Sequence, residues 1–129
     1  MITFLNPTNV HTPKGPYTHT AVVPAGSQLI FIAGQVGMRP DGSVPTSAVE
    51  QAEVLFGNLA ACLEAHELGM SSIVKITTYL VSGTDLTGVR DVRDRYFNGH
   101  CPTATALFVP SLGSPEYLLE VEATAVRSV

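Results

Sequence analysis

Two glutamates stand two residues apart in the last apolar stretch of the sequence. Glu120 and Glu122 lie in the run 117–126, where apolar and polar residues alternate from Leu119 onward. Successive side chains of a strand point to opposite faces, so this run predicts a strand with both carboxylates on one face, about 7 Å apart at roughly 3.3 Å per residue. Either that face is exposed to water, or a carboxylate is held there for acid–base chemistry. For Glu122 the exposed alternative is favoured, and spacing alone does not separate Glu120 from it.

Arg90 and a glycine-bearing segment are further groups that could hold a ligand. Arg90 precedes Asp94 by four residues on a predicted helix, which is the spacing of a solvent-exposed ion pair. Its guanidinium would also suit a bidentate carboxylate ligand. The glycines of segment 34–37 could let backbone N–H groups face an anion, but they do not form the G-x-G-x-x-G pattern of a dinucleotide site.

The histidines and cysteines are scattered along the chain. Cys101 adjoins His100, but neighbours on an extended chain point opposite ways, so a thiolate–histidine pair is not expected there. We therefore interpret Cys101 as structural or incidental. No spacing typical of a zinc site occurs, and we expect no metal at any of these side chains: His11, His19, His66, His100, Cys62 and Cys101.

Composition restricts the class of protein. The 129 residues fit a single domain, 1–129. Only 14% of them are charged, against a usual ~25%, so we expect a partner to cover part of the surface and predict a homo-oligomer. A net charge of -4 with 7 basic residues argues against nucleic-acid binding. The absence of a long apolar run, of a signal-peptide pattern and of a disulfide scaffold predicts a cytoplasmic protein that does not bind membranes.

Hydrophobic periodicity predicts an α+β domain, a single mixed sheet with two helices packed on one face. The uncovered face would then be closed by oligomerisation. A capping box, Ser47 to Glu50, marks the start of the longer helix. The predicted elements are a short edge strand 2–5, a hairpin of strands 18–23 and 29–33 with the second buried on both faces, a helix from 46/47 to about 68 closed by Gly69, a strand 73–81, a helix from about 85 to 97, and two C-terminal strands, 103–109 and 117–126, joined by a short turn.

Several segments taken together resemble the Rid family, also called YjgF. The resemblance implies a chorismate-mutase-like fold, a homotrimer with small-molecule pockets in clefts between subunits, and no cofactor. Archetypal members hydrolyse reactive enamines and imines such as 2-aminoacrylate to a 2-keto acid and ammonia. The segments are Gly15-Pro16-Tyr17, Ala33-Gly34-Gln35-Val36, the long helix, Val74-Lys75-Ile76-Thr77-Thr78-Tyr79-Leu80 and Leu119-Glu120-Val121-Glu122-Ala123.

The resemblance also implies roles for single residues. Glu120 would be catalytic, positioning or activating the attacking water, and Tyr17 and Gly34 would line the pocket. The family's substrate-binding arginine is replaced by Ala104, beside Thr105, its frequent serine by Ala33, and the asparagine of the second helix by Arg90. The chain therefore looks like an arginine-lacking subgroup in which Arg90 takes over part of the anion binding.

Three interpretations follow for function. The first is a deaminase of an imine, an enamine or a related metabolite, and the second is a non-catalytic metabolite-binding or regulatory protein on the same trimeric scaffold. The missing arginine favours the second, whereas Tyr17 and Glu120 favour the first. The third, an RNA-cleaving inhibitor of translation, is a label given to some family members, and the acidic composition speaks against it.

Overall fold

The computed structural model describes residues 1–129. Each helix is followed in the chain by a strand of the main sheet. The elements are β1 (Thr3–Leu5), β2 (Thr20–Val22), β3 (Gln28–Gln35), α1 (Ala48–Glu64), a 3-10 turn (Met70–Ser72), β4 (Ile73–Val81), α2 (Val89–Phe97), β5 (Thr103–Val109) and β6 (Leu119–Arg127).

The main sheet has the strand order β3-β6-β4-β5. β6 is antiparallel to both of its neighbours, whereas β5 is parallel to β4. A parallel pair needs a crossover connection, and α2 supplies it. The predicted class, an α+β domain with two helices on one face of a mixed sheet, is confirmed. We call the other face, which carries Phe31, Tyr79, Glu120 and Glu122, the open face.

The core lies between α1 and the covered face of the sheet. Side chains at helical spacing on α1 meet alternate residues of β6, which confirms the predicted period of both elements. Each large apolar side chain buried this way contributes roughly 1.5–3 kcal/mol. The fully or almost fully buried set includes Ala52, Leu55, Phe56, Leu59 and Leu63 of α1 with Leu119, Val121, Ala123 and Ala125 of β6.

Local hydrogen bonds determine where α1 begins and ends. The N-cap implied by the capping-box pattern forms, because the Ser47 hydroxyl accepts the Glu50 N–H at 3.3 Å, while the Glu50 carboxylate accepts the Ser47 hydroxyl, not the Ser47 N–H, at 3.1 Å. The helix ends at Glu64 rather than near 68, and Gly69 does not close it. Glu67 takes the left-handed conformation (φ 58°), since the Leu68 N–H returns to the Leu63 carbonyl at 3.0 Å.

The start of α2 is later than predicted. Asp85 accepts the Thr87 N–H at 3.0 Å and the Thr87 hydroxyl at 2.7 Å, which makes a turn instead of a first helical turn. Gly88 then adopts a φ of 86°, and the helix begins at Val89. Neither helix of the chain is long and apolar enough to cross a membrane.

The predicted hairpin of β2 and β3 is wrong. β2 pairs instead with β1 in a separate two-stranded sheet, where the Thr20 hydroxyl donates to the Leu5 carbonyl at 2.6 Å. The two C-terminal strands, β5 and β6, are separated in the main sheet by β4. Adjacency in sequence suggested the hairpin, but strands that follow one another in the chain do not always pair.

β3 is buried on one face only, which corrects the prediction from its unbroken apolar run. Ile32 is buried, but Phe31 is 77% exposed and Leu29 is exposed too. An apolar run is typical of a strand covered on both sides, and in one copy of this chain nothing covers the open face. The strand thus presents apolar side chains to solvent.

Candidate functional site

A cleft of about 460 Å³ lies between α2, the outer end of the sheet and the turn before β2. We call it the α2 cleft. The parallel register of β4 and β5 sets Thr78 opposite Ala106 on its floor. The cleft brings together four of the residues that the family resemblance implied, namely Tyr17, Arg90, Ala104 and Thr105. Its other lining residues are Pro16, Thr78, Leu80, Leu86, Val89, Arg93 and Ala106.

Backbone hydrogen bonds fix the turn that carries Tyr17. The Tyr17 N–H donates to the Gly15 carbonyl at 2.8 Å. The next residue, Thr18, binds the turn to the two residues that precede β5. Thr18 donates its N–H to the Pro102 carbonyl at 3.1 Å and its hydroxyl to the Cys101 carbonyl at 2.6 Å. The Tyr17 ring is therefore held at the edge of the cleft, with its hydroxyl 3.3 Å from the Lys14 amide.

Arg90 lies at the mouth of the cleft with most of its donors available. Its side chain is 65% exposed, and its only ion pair is a contact of 4.0 Å between Nε and the Asp94 carboxylate. A Cβ atom at position 15 would stand 3.3 Å from the Arg90 Nη2, so Gly15 allows the guanidinium to lie close to the turn. An anion in the cleft could reach this group from solvent.

Arg93 also lines the cleft, and sequence reasoning missed it. Its side chain is 16% exposed, its Nη2 donates to the Pro16 carbonyl at 3.4 Å, and its guanidinium lies 4.6 Å from the centre of the Phe97 ring. Burial lowers the pKa of Arg93, while Asp94, at 3.6 Å, opposes that shift. The available signal was its spacing of three residues from Arg90, which places both on one side of a helix.

Replacing Arg93 by glutamine should loosen the turn that holds Tyr17. The change removes the hydrogen bond to the Pro16 carbonyl and the contact with Phe97. Hydrogen bonds from charged groups contribute about 1.5–3 kcal/mol, so we expect exchange of the Thr18 amide to accelerate about tenfold or more. Arg95→Gln is the matched control, because Arg95 pairs with Glu53 outside the cleft. Equal Thr18 exchange rates in the two variants would contradict this role.

Glu120, Gly34 and Ala33 form a second group on the open face. A Cβ atom at position 34 would stand 1.9 Å from the Glu120 Oε2, so only a glycine leaves room for the carboxylate in this position. The register of β3 against β6 shifts between Ile32 and Gln35, and Ala33 and Gly34 lie within this irregular segment. None of the three lines the α2 cleft of the same chain.

Glu122 is exposed on the open face, which is the alternative that we favoured for it from the sequence. The Tyr79 hydroxyl donates to its Oε1 at 3.0 Å, and this hydrogen bond raises the pKa of Tyr79. Glu122 also borders a depression of about 450 Å³ with Phe31 and Lys75. The two glutamates thus share a face but have different neighbours. Over residues 1–129 no three histidine, cysteine, aspartate or glutamate side chains are grouped as metal ligands would be.

The chain is similar to known proteins over most of its length. The family model described as endoribonuclease L-PSP matches residues 8–127. The chain is 35% identical over 116 residues to protein DfrA of Myxococcus xanthus, covering 87% of this chain and 86% of that protein. It is 28% identical over 102 residues to the 2-iminobutanoate/2-iminopropanoate deaminase of Dermatophagoides farinae, covering 78% and 77% of the two chains.

Solved structures agree on the fold. The crystal structure of the Rid family protein YyfB from Yersinia pestis superposes with a TM-score of 0.83 at 24% identity, over 96% of this chain and 97% of that one. Escherichia coli TdcF with bound serine gives a TM-score of 0.71 at 28% identity, over 98% and 99% of the two chains.

Proposed function

Because the chain belongs to the Rid family, we propose that it hydrolyses a reactive imine or enamine to a carbonyl compound and ammonia, with no cofactor, at a site shared by neighbouring subunits. The observation that carries this proposal is the Glu120 carboxylate seated against Gly34. The name of the deaminase from Dermatophagoides farinae supports the reaction type.

The chemistry assigned to Glu120 is that of a general base. The carboxylate accepts a proton from water while the water oxygen forms a bond to the imine carbon and the π electrons of C=N move to nitrogen. Return of that proton to nitrogen gives a carbinolamine, C(OH)NH2. Transfer of its hydroxyl proton to the amino nitrogen through the same carboxylate then lets NH3 leave as the carbon–oxygen double bond forms. A positioned base typically contributes ~10²–10⁴-fold. In the α2 cleft, Tyr17 would orient the substrate, Arg90 would bind an anionic group, and Ala104 and Thr105 would line the floor.

The site would be completed by a second copy of the chain. Glu120, Gly34 and Ala33 lie on the open face, whereas Tyr17 and Arg90 lie at the α2 cleft. In the proposed homotrimer, the open face of one subunit closes the α2 cleft of the next. The exposed apolar side chains of the open face support this arrangement, Phe31 above all.

Replacing Phe31 by aspartate should separate the subunits. The side chain is 77% exposed in one chain, and burying a carboxylate in its place would be strongly unfavourable. Light scattering after size exclusion should give three times the chain mass of 13.7 kDa for the wild type and a mass near 13.7 kDa for the variant. Phe31→Leu, which stays apolar, should remain trimeric. A monomeric wild type would contradict the shared site.

The reaction itself can be tested by competition for a short-lived imine. An amino-acid oxidase generates 2-imino acids in place, and semicarbazide traps whatever has not been hydrolysed. The protein should reduce the trapped fraction in proportion to its concentration, for at least one amino acid in a panel of small, branched and aromatic side chains. A trapped fraction that never changes across the panel would refute the proposal.

A non-catalytic metabolite-binding protein is the second candidate, and Ala104 is the observation that favours it. A methyl group stands where the family's arginine would bind the carboxylate, and it cannot replace a bidentate charged contact. Such a protein would gain thermal stability from its ligand without forming product.

RNA cleavage is not part of the proposal, because the net charge is -4 and both arginines of the cleft lie beside Asp94.

A further inference from the structure

We infer that the α2 cleft selects a 2-imino acid with a bulky apolar side chain, holding its carboxylate at Arg90 and its apolar end over Ala104. This rests on the proposed function and names the substrate class. The family's arginine would have filled the floor of the cleft with a charged group, and Ala104 leaves that floor open and apolar. Loss of the arginine thus changes what the cleft accepts.

The inner wall of the cleft is built from apolar side chains. Leu80 comes from β4, Leu86 from the turn before α2, and Val89 from the first turn of α2, while Ala104 and Ala106 form the floor on β5. All of these except Ala106 are partly buried and pack against the main core, which fixes their positions. At about 460 Å³, the cleft is within the ~300–1,000 Å³ typical of sites for ligands far larger than a three-carbon acid.

Two arginines line the cleft, and the exposed one, Arg90, lies at its mouth. The Nη2 of the largely buried Arg93 donates to the Pro16 carbonyl and its guanidinium lies against Phe97, so this side chain holds the turn, while its buried Nη1 has no hydrogen-bond partner. Arg90 has only the 4.0 Å contact with Asp94, and its fork of donors faces solvent. One exposed guanidinium above a largely apolar wall matches a ligand with one anionic end and one apolar end.

Size selection should follow from burial of carbon. Each additional buried methylene strengthens binding by about three- to fourfold, and a few of them together give at least about tenfold. A three-carbon acid would leave the space over Ala104 and Ala106 unfilled. A branched or aromatic acid would fill it.

The test uses the stable 2-keto acids that correspond to the imines, bound to the purified wild-type assembly. Calorimetric titration should show 4-methyl-2-oxopentanoate and phenylpyruvate binding at least about tenfold more tightly than pyruvate. Ala104→Leu fills the floor and should abolish that preference while pyruvate binding stays near its wild-type value. Ala61→Leu, the same change on the exposed side of α1, should leave the preference unchanged. Arg90→Gln should weaken all three acids by a similar factor.

Three outcomes would overturn the inference: equal affinities for the three acids, no binding of any of them, or a preference that survives Ala104→Leu. If Ala104→Leu fails to fold, Ala106→Leu serves instead, because it fills the same floor and should reduce the preference. Binding of keto acids needs no turnover, so the two proposals fail separately. A size preference without imine hydrolysis would refute only the proposed reaction, and hydrolysis without a size preference would refute only this inference.

Discussion

Glu120→Gln is expected to lower imine hydrolysis by about 10²–10⁴-fold, which is the usual contribution of a general base. The amide keeps the shape of the side chain and its place beside Gly34, but it cannot accept the proton of the attacking water. Binding of a 2-keto acid should change little, because the amide occupies the same space as the carboxylate and the proposed ligand carboxylate is held at Arg90. The measurement is the trapped fraction of imine, with the oligomeric mass determined on the same sample.

Glu122→Gln is the matched control for this change. Glu122 lies two residues further along the same face and accepts a hydrogen bond from Tyr79, so its loss should leave the rate close to that of the wild type. Gly34→Ala tests the position of the Glu120 carboxylate without changing Glu120 itself. A Cβ atom 1.9 Å from the Glu120 Oε2 would force the carboxylate to rotate away, with a similar loss of rate and little loss of stability. Full activity in Glu120→Gln and Gly34→Ala would show that this carboxylate is not the base.

Gln51→Leu is expected to lower the free energy of unfolding by about 3–5 kcal/mol. Gln51 is fully buried on α1. Its amide donates to the carbonyls of Pro45 and Glu116, both at 2.8 Å, and its carbonyl accepts the Leu118 N–H at 2.9 Å. Leucine has a similar volume but would leave these backbone groups without partners, at about 1–3 kcal/mol for each unsatisfied group.

Thermal unfolding at one fixed protein concentration would measure this loss, which we expect to appear as a fall in Tm of about 10–20 °C. The concentration matters because an oligomer gains apparent stability from association. Gln28→Leu is the control, since Gln28 is exposed and its side chain accepts one hydrogen bond, from Arg127. That substitution should change stability by less than about 1 kcal/mol. Similar melting temperatures for the two variants would mean that the Gln51 hydrogen bonds contribute little.

Local patterns in the sequence were sufficient for individual elements. The β-branched, alternating run gave β4 its correct bounds, and the alternation of β6 placed both glutamates on the correct face. Such patterns report which side of an element is buried. They carry no information about which strand pairs with which, and the predicted hairpin of β2 and β3 was therefore wrong.

Only part of the candidate site was predictable, because its residues lie far apart in the sequence. The resemblance to a family supplied Tyr17, Arg90, Ala104 and Thr105, which the structure brings into one cleft. Residue spacing could not have done so, because these residues come from three separate parts of the chain. Arg93 was missed since its partner, the Pro16 carbonyl, lies 77 residues away in sequence.

The position of β6 has a consequence for synthesis of the chain. β6 is made after β1 to β5, yet it is the main-sheet partner of β3 and also pairs with β4. While residues 119–127 are still inside the ribosome, β3 has no strand in the main sheet to pair with, and its apolar side chains stay uncovered. We therefore expect the domain to fold only after residues 119–127 have left the ribosome. Nascent chains stalled before this strand should bind chaperones and resist folding, whatever helix has already formed.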